Sequence, residues 1–235
     1  MEVRVEKDFW ELFPDAKISL LMLTGVNNRY DERKKYECLL ETAQEKAKEF
    51  IRESEFAQNA VVAGWRAAFQ KFKTKKGVRT SIEALLKRVQ NGKGVSTISP
   101  LVDIYNSVSL EFGVPCGGED VSAIKGAMRL TLAEGDEPFI TLGSDESEPP
   151  YKGEIVYKDD EGAICRCWNW RESVRTMLTE NTHDVIFVIE SADGLNETVL
   201  RDALDTLRQR LMDFLGGKAE TAVLDRENSN YVFQI

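Results

Sequence analysis

Apolar residues recur every three or four positions through the first half of the chain, which predicts a series of amphipathic helices. One helix begins near Asp31, a second covers residues 59–73, and a third begins at Thr80 or Ser81. Short polar side chains suit these starting points because they accept hydrogen bonds from the first free backbone N–H groups of a helix. Ahead of the helices, the apolar run 17–26 predicts a buried strand that ends in a turn.

A fourth helix follows Pro100 and carries two lines of residues along its surface. The apolar line contains Leu101, Ile104, Val108 and Phe112. The polar line contains Asp103, Asn106 and Ser109. Because both lines repeat at helical spacing, we expect the first in the core and the second at the rim of a binding site. The helix must end near Gly113, since Pro115 disfavours helical geometry at the preceding residue, and the glycines at 117 and 118 predict a flexible loop.

After residue 120 the pattern changes to short β-prone runs separated by Gly, Pro, Asp and Ser. These runs are 128–132, 138–142, 154–158, 163–168 and 185–190. A last helix is expected from a cap at Asn196, with edge strands at 221–224 and 231–233. This order predicts an α+β fold, in which a helical N-terminal part packs on a mostly antiparallel sheet. We expect residues 1–60 to form a strand and a long helix packed on a main domain at 61–235.

The composition fits a soluble globular protein of the cytoplasm. Apolar residues make up 42% of the chain, and no run of about 18 of them is present to span a membrane. The first 17 residues mix charged and apolar side chains, unlike a secretory leader. The cysteines at 38, 116, 165 and 167 lack the spacing of a disulfide framework and are expected to be buried, reduced thiols. One histidine and a Cys-x-Cys pair match no known zinc spacing, so neither a metal nor a cofactor is expected.

A local excess of positive charge interrupts an acidic chain whose net charge is −9. Between Arg66 and Lys93 there are nine basic residues and one acid, Glu83. The first six form what we call the basic stripe: Arg66, Lys71, Lys73, Lys75, Lys76 and Arg79. Such a patch can dock a phosphate backbone through Lys and Arg contacts that release counterions, which predicts a tRNA-binding surface. The alternative is a solvated, lysine-rich connection between helices.

Two segments resemble a known family. The stretch VDIYNSVSLEFGVP with Asp120, and the stretch THDVIFVIESA at 182–192, are similar to the segments that open and close the ligand pocket in the B3/B4 region of the phenylalanyl-tRNA synthetase beta subunit. That region edits wrongly charged tRNA. The resemblance implies a free-standing, B3/B4-like protein that binds the aminoacylated 3′ end of tRNA and hydrolyses mischarged species. A tRNA-binding or amino-acid-binding module without turnover is the alternative.

The resemblance also implies roles for individual residues. Glu190 would contact the ammonium group of the substrate, and Asn106 would orient the substrate or the attacking water. The other residues expected around the substrate are Asp103, Ser109, Cys116, Gly117, Trp168, Asn169 and Arg171. This chain departs from the family pattern at Gly117, where synthetase-type members carry a histidine, and at 168–171, where they have a glycine-rich turn.

Each of these residues also has a structural interpretation. Glu190 can be a solvated charge, Asn106 can make a local hydrogen bond within the fold, and one of the two tryptophans can fill the core. A rival catalytic hypothesis makes Cys116 a nucleophile, with His183 as its base, although no pattern places the two together. The sequence specifies no oligomeric state.

Overall fold

The computed structural model describes residues 1–193 and 197–234. The helices of this part of the chain are α1 (Lys7–Leu12), α2 (Arg33–Ala47), α3 (Ala60–Phe69), α4 (Ser81–Gln90), α5 (Pro100–Phe112) and α6 (Glu197–Leu215). Its strands are β1 (Glu2–Val5), β2 (Lys17–Thr24), β3 (Cys116–Asp120), β4 (Met128–Leu132), β5 (Ile155–Lys158), β6 (Ala163–Arg166), β7 (Arg171–Glu172), β8 (Val185–Ser191), β9 (Lys218–Leu224) and β10 (Asn230–Val232). None of the helices in these residues is long and apolar enough to cross a membrane.

The strands form two sheets. The larger has the order β10-β1-β4-β5-β6-β7, and the smaller has the order β3-β8-β2-β9. All pairs are antiparallel except β1 with β4. The predicted α+β fold with a mostly antiparallel sheet core is therefore confirmed. Each sheet takes one strand from residues 1–60 and the others from later in the chain, and the division into two units stays a prediction.

The central strands β2 and β8 of the smaller sheet are buried on both faces. Successive side chains of a strand point to opposite sides, so Ile186 and Val188 join the core facing the larger sheet. Val185, Phe187 and Ile189 face α5 and α6 instead. The smaller sheet is thus the middle layer, and every second residue of β8 points toward the space between the sheets.

The glycines at 117 and 118 lie in a strand rather than in the flexible loop predicted from the sequence. Residues 116–120 pair with β8 from Ile189 to Val185. Gly118 is required there because a Cβ on it would lie 2.8 Å from the Phe187 ring. Packing against a neighbouring strand, rather than freedom of the backbone, explains this glycine.

Several boundaries differ from the prediction. Helix α3 ends at Phe69, and the Lys73 N–H donates to the carbonyl of Gly153 (3.3 Å) instead of continuing the helix. Residues 138–142 form no strand, since their carbonyls accept backbone hydrogen bonds from four separate partners. These partners are Ala163, Glu148, Val174 and Ser144.

Of the predicted helix caps, Thr80 is confirmed, because its hydroxyl accepts the N–H of Glu83 (3.1 Å). At α2 the cap position is Glu32 rather than Asp31. The Asp31 carboxylate accepts the adjacent Glu32 N–H (2.7 Å) and so lies one residue outside the cap. The predicted cap at Asn196 lies outside the described residues.

The four cysteines are free thiols. Cys116 and Cys167 are buried, Cys165 is partly buried, and Cys38 is exposed. The prediction that all four are buried is therefore wrong for Cys38, which lies on the solvent side of α2.

A candidate ligand cavity between the two sheets

A cavity of about 520 Å³ opens between the inner faces of the two sheets. Strands β3 and β8 supply one wall, strands β4 to β6 the other, and α4, α5 and residues 168–172 close the sides. Its volume lies within the range of roughly 300–1,000 Å³ usual for small-molecule sites. The cavity lining is mostly apolar, with carboxylates at separate positions.

Glu190 projects from β8 into this cavity. It has the same strand parity as Val188, so its side chain faces the larger sheet. One carboxylate oxygen accepts the Tyr157 hydroxyl at 2.7 Å, and the other accepts the Asn169 side-chain amide at 2.6 Å. With only 3% of its surface exposed, Glu190 is held in one orientation by donors from two different elements.

Burial is the main influence on the charge of Glu190. It raises the pKa of the carboxyl to about 7, although hydrogen bonds from Tyr157 and Asn169 act in the opposite direction. The Trp168 indole N–H lies close enough to lower the pKa of Glu190 slightly, yet it does not reach hydrogen-bond geometry. The carboxyl therefore titrates near neutral pH, which suits a group that exchanges protons.

An unusual turn places Asn169 against Glu190. Cys167 and Trp168 have φ values of 46° and 66°, a left-handed conformation that glycine adopts easily and tryptophan rarely does. Trp168 is fully buried between Phe9, Phe13 and Trp65, with ring centroids 4.8–5.1 Å apart. Trp168 thus fills the core, and its packing holds the turn that presents the next residue to the cavity.

Asn106, Cys116 and Gly117 also line the cavity. Asn106 on α5 and Glu190 on β8, which are 84 positions apart in the sequence, therefore reach the same space. A Cβ on Gly117 would meet no atom within 4 Å, so this residue leaves the floor of the cavity open beside Val188. Arg171 is exposed at the rim, with its guanidinium 5.2 Å from the Trp170 ring centroid.

The structure does not support a nucleophilic Cys116. Burial and the nearby Glu190 carboxylate raise the pKa of this thiol far above its ordinary value, which opposes the reactive thiolate. His183 is exposed, and its ring nitrogen contacts the carbonyl of Val26 (2.8 Å), outside the cavity lining. The two residues are not brought together.

Two residues of the polar line on α5 do not belong to the cavity lining. Asp103 is fully buried and accepts the Tyr30 hydroxyl (2.6 Å) and the N–H of Ile98 (2.7 Å). Ser109 is also fully buried and donates to the carbonyl of Val114. Both side chains stabilise the ends of the helix, and the prediction of a continuous binding rim is corrected to Asn106 alone.

Several cavity residues, Glu172 among them, were not singled out from the sequence. Tyr105 and Tyr157 line the walls, and Tyr157 binds Glu190. Glu119 on β3 is 8% exposed, and one of its carboxylate oxygens has no hydrogen-bond partner among the described residues. Alternate residues of a strand share a face, and Glu119 lies two positions after Gly117 on β3. Glu119 could therefore have been assigned to the cavity from the sequence if residues 116–120 had been predicted as a strand.

Glu172 also lines the cavity, close enough to Glu119 for the two charges to interact. Burial, and then the Glu172 carboxylate, raise the pKa of Glu119 well above its ordinary value, although the Thr176 hydroxyl and the positive charge of Arg175 act in the opposite direction. Glu172 is exposed to solvent, and the protein around it raises its own pKa to about 7. Because water screens an exposed charge, this shift contributes little to the stability of the fold. The nearby Arg175 does not bond Glu119, because its guanidinium binds both oxygens of Asp159 at 2.7 and 2.8 Å.

The basic stripe lies beside the cavity and is only partly free. Arg66 forms an ion pair with Glu83 (2.6 Å), and Lys75 with Glu148 (2.7 Å). The other four residues are exposed: Lys71, Lys73, Lys76 and Arg79. The stripe connects to the cavity at Ser81, which lines it and donates its N–H to the carbonyl of Asn169 (3.1 Å).

Behind the cavity, Arg166 and Glu154 form a buried ion pair. They are 2% and 0% exposed, and two hydrogen bonds of 3.0 and 2.7 Å join the guanidinium to the carboxylate. A third donation from Arg166 goes to the carbonyl of Glu148 (2.8 Å). This pair fixes residues 148–154 against the strand that leads into the 167–168 turn.

These features define an α+β domain whose two sheets enclose a mostly apolar cavity that contains carboxylates. Residues 64–210, well over half of the chain, match the family model of the B3/4 domain. The chain belongs to this B3/4 domain family, in agreement with the resemblance of its two motifs.

Curated relatives are beta subunits of phenylalanine–tRNA ligase. The protein from Colwellia psychrerythraea is 26% identical over 156 residues, which cover 55% of this chain and 19% of that protein. The protein from Nocardia farcinica is 32% identical over 131 residues, covering 55% of this chain and 15% of that protein. The chain thus spans less than a fifth of the length of these relatives.

A solved structure is also similar to this chain. It is an N-terminal fragment of the phenylalanyl-tRNA synthetase beta subunit from Pyrococcus horikoshii, with 15% sequence identity and a TM-score of 0.45. The alignment covers 92% of this chain and 49% of that one. Structural similarity at this level adds nothing to the family assignment.

Proposed function

We propose that this domain binds the aminoacylated 3′ end of tRNA and hydrolyses the ester of mischarged species in trans. The observation that carries the proposal is Glu190, a buried carboxyl with a pKa of about 7 that faces a cavity of aminoacyl size. Hydrolysis of an ester needs a positioned water, a contact for the ammonium group and stabilisation of the developing oxyanion. Glu190 supplies the ammonium contact, and a group that titrates near neutrality is also matched to proton transfer.

The remaining roles follow from position around the cavity. Asn106 both donates and accepts hydrogen bonds, so it orients the ester or the attacking water. Arg171 at the rim binds a phosphate of the terminal nucleotides. The exposed members of the basic stripe hold the tRNA backbone, and the contact of Ser81 with Asn169 joins that surface to the cavity.

The test is hydrolysis of a panel of mischarged tRNAs by the purified chain. We expect Glu190→Gln to lower kcat/KM by about 100-fold, because an isosteric amide has no negative charge to pair with the ammonium group and does not exchange a proton at this pH. The exposed Glu227→Gln, which lies away from the cavity, is the matched control and should retain the wild-type rate. Hydrolysis that survives Glu190→Gln would refute the assignment.

Docking of tRNA is tested separately by the salt dependence of binding. Neutralising Lys71, Lys73 and Lys76 together should weaken binding and reduce the slope of log K against log[salt] by about 1 for each phosphate that no longer meets a lysine. Lys34→Gln, an exposed position on α2, is the control. A slope that does not change would remove the basic stripe from the interface.

A second candidate function is a binding module without turnover, and the cavity lining favours it in one respect. Among the described residues that line the cavity there is no imidazole, since residue 117 is glycine, and the Cys116 thiol is held protonated. A catalytic domain would then need the substrate's own ribose hydroxyl, Glu190 or a chain of waters to activate the nucleophile. Saturable, salt-dependent tRNA binding with no hydrolysis on any mischarged substrate would select the module.

A further inference from the structure

The acidic groups of the cavity lie at two separate positions on the middle sheet. Glu119 pairs with Ile186 across the β3–β8 ladder, and Ile186 and Glu190 are four residues apart on β8. The two carboxylates therefore originate about 13 Å apart along the strand direction. Between them lie Val188 and the open floor at Gly117. A ligand that reaches both acids must be elongated, with an apolar middle.

The end of the cavity at Glu119 lacks the hydrogen-bond donors that are present at Glu190. Both oxygens of Glu190 accept hydrogen bonds from protein donors. One buried oxygen of Glu119 has no hydrogen bond of normal geometry among the described residues, and neither has the buried Thr176 hydroxyl, which lies close enough to Glu119 to lower its pKa. The nearby guanidinium of Arg175 is bound to Asp159. An unpartnered carboxylate that is nine-tenths buried is costly to the fold, so the structure leaves a place for an outside donor.

The position of Glu172 indicates that the outside donor to Glu119 is positively charged. Two carboxylates that face the same small space repel one another, and a neutral donor would relieve only the missing hydrogen bond. A cation between Glu119 and Glu172 relieves both the repulsion and the missing bond. Arg88 and Arg171 also line the cavity, but Arg88 donates to the carbonyl of Gly94 (2.9 Å) and Arg171 lies at the Trp170 ring.

We propose that Glu119 and Glu172 form a cation subsite for the side-chain ammonium group of a basic aminoacyl substrate. This inference rests on the proposed function, in which Glu190 takes the α-ammonium group of the same substrate. A lysine-like side chain carries its ammonium group on a flexible four-carbon stem, which matches an apolar path between two acids. The substrate class is thus a tRNA mischarged with a diamino acid.

The experiment compares lysine with norleucine, which has the same unbranched stem without the ammonium group, on one and the same tRNA. We expect wild-type kcat/KM to favour the lysyl ester by about 10- to 100-fold, the range of a charge-assisted hydrogen bond. In Glu119→Gln the ratio of the two rates should fall to near one, and in Glu172→Gln it should fall partway. Glu227→Gln should keep the wild-type ratio.

Three results would overturn the proposal. The first is equal hydrolysis of the two esters by the wild-type protein. The second is a preference for lysine that survives Glu119→Gln. The third is an equal loss on both esters in Glu119→Gln, which would place the α-ammonium group at this end of the cavity instead.

Failure of the proposed function is distinguished by binding. If neither ester is hydrolysed, calorimetric titration with lysinamide and with norleucinamide tests the subsite without turnover. Tighter binding of lysinamide that is lost in Glu119→Gln supports the cation subsite even in a non-catalytic module. Equal affinities, or no measurable binding of either amide, would overturn it.

Discussion

Glu190 and Glu119 project from the same face of the smaller sheet, yet their carboxylates have different hydrogen-bond partners. Glu190 is held by two neutral donors, Tyr157 and Asn169, from two other elements. Glu119 has an oxygen without a partner among the described residues and a second carboxylate, Glu172, beside it. Glu190 is thus an acid whose two oxygens both accept hydrogen bonds from the protein, whereas Glu119 is an acid with a hydrogen bond missing. A buried acid that lacks a hydrogen-bond partner lowers stability, and this cost is the basis of the cation subsite proposed above.

A third buried carboxylate, Glu154, shows how much stability is lost when a buried acid has no partner, because its own partner Arg166 can be removed by substitution. Replacing Arg166 by Met should lower the free energy of unfolding by about 3–5 kcal/mol, since it leaves Glu154 buried without a counter-charge. Urea unfolding followed by tryptophan fluorescence measures this loss. The exposed Arg201→Met on α6 should change stability by less than about 0.5 kcal/mol.

The double variant Arg166→Met with Glu154→Leu sharpens the same test. Because it removes both charges, it should recover most of the loss. A loss below about 1 kcal/mol in the single variant would mean that Glu154 tolerates isolation, and would weaken the inference drawn from the unpartnered Glu119.

The pH dependence of Glu190 gives the next largest effect. Its pKa is about 7 in the folded protein, against an ordinary value of 4.5. Between these two pH values the folded state holds the proton more tightly than the unfolded state, so stability falls as pH rises. The wild type should therefore lose up to about 3 kcal/mol relative to Glu190→Gln between pH 4.5 and pH 8.

Glu119 and Glu172 also have raised pKa values, but both are present in the two proteins being compared, so their contributions cancel in the difference. Denaturant titrations across this pH range provide the measurement. A difference between wild type and Glu190→Gln that does not vary with pH would contradict a protonated Glu190 in the folded state.

Removing the Tyr157 hydroxyl would leave Glu190 with an oxygen that lacks a hydrogen bond, as Glu119 has. Tyr157→Phe leaves a carboxylate oxygen unpaired and should cost about 1–3 kcal/mol at pH 8, where Glu190 is ionised. The cost should be smaller at pH 5, where Glu190 is protonated. Tyr151→Phe, at an exposed ring, is the control. An equal cost at both pH values would show that the hydroxyl matters for packing and not for the charge.

The smallest predicted effect has the opposite sign. Glu119→Gln replaces an unpartnered buried carboxylate by a neutral amide and should stabilise the protein by about 1 kcal/mol at pH 8. Glu172→Gln, which is open to solvent, should change stability by less than about 0.5 kcal/mol. Thermal unfolding of both variants decides the matter. Destabilisation by Glu119→Gln would mean that the protein stabilises the Glu119 carboxylate, as it does that of Glu190.

Local rules predicted much of this fold from the sequence. The helix at 100–112, its end at Gly113 and the strand at 128–132 agree with the structure, because periodicity and turn residues act over a few neighbours. The strand at 116–120 was missed because glycine normally weakens a strand, and the reason for Gly118 is a phenylalanine from β8. Contacts of this kind are not visible in a local pattern.

The cavity was predictable only where a motif marked it. Asn106 and Glu190 follow from the resemblance and do line one space, whereas Asp103 and Ser109 share the helical spacing of Asn106 but bond to neighbouring backbone. Tyr157 lies in a short strand that looks like ordinary core. Its role depends on the pairing of the strands in the larger sheet, which no local pattern specifies.

The left-handed turn at Cys167 and Trp168 has a consequence for engineering the cavity. Phe9, Phe13 and Trp65 surround the tryptophan ring, and together with the hydrogen bond from the Trp168 N–H to the Ile155 carbonyl (2.6 Å) they hold that backbone shape. Under the proposed function, selectivity would therefore be altered by substitutions that never touch a ligand, since a smaller residue in that aromatic cage would let the turn relax and move Asn169 away from the cavity. Libraries designed to test that function should leave the cage intact and vary the opposite wall.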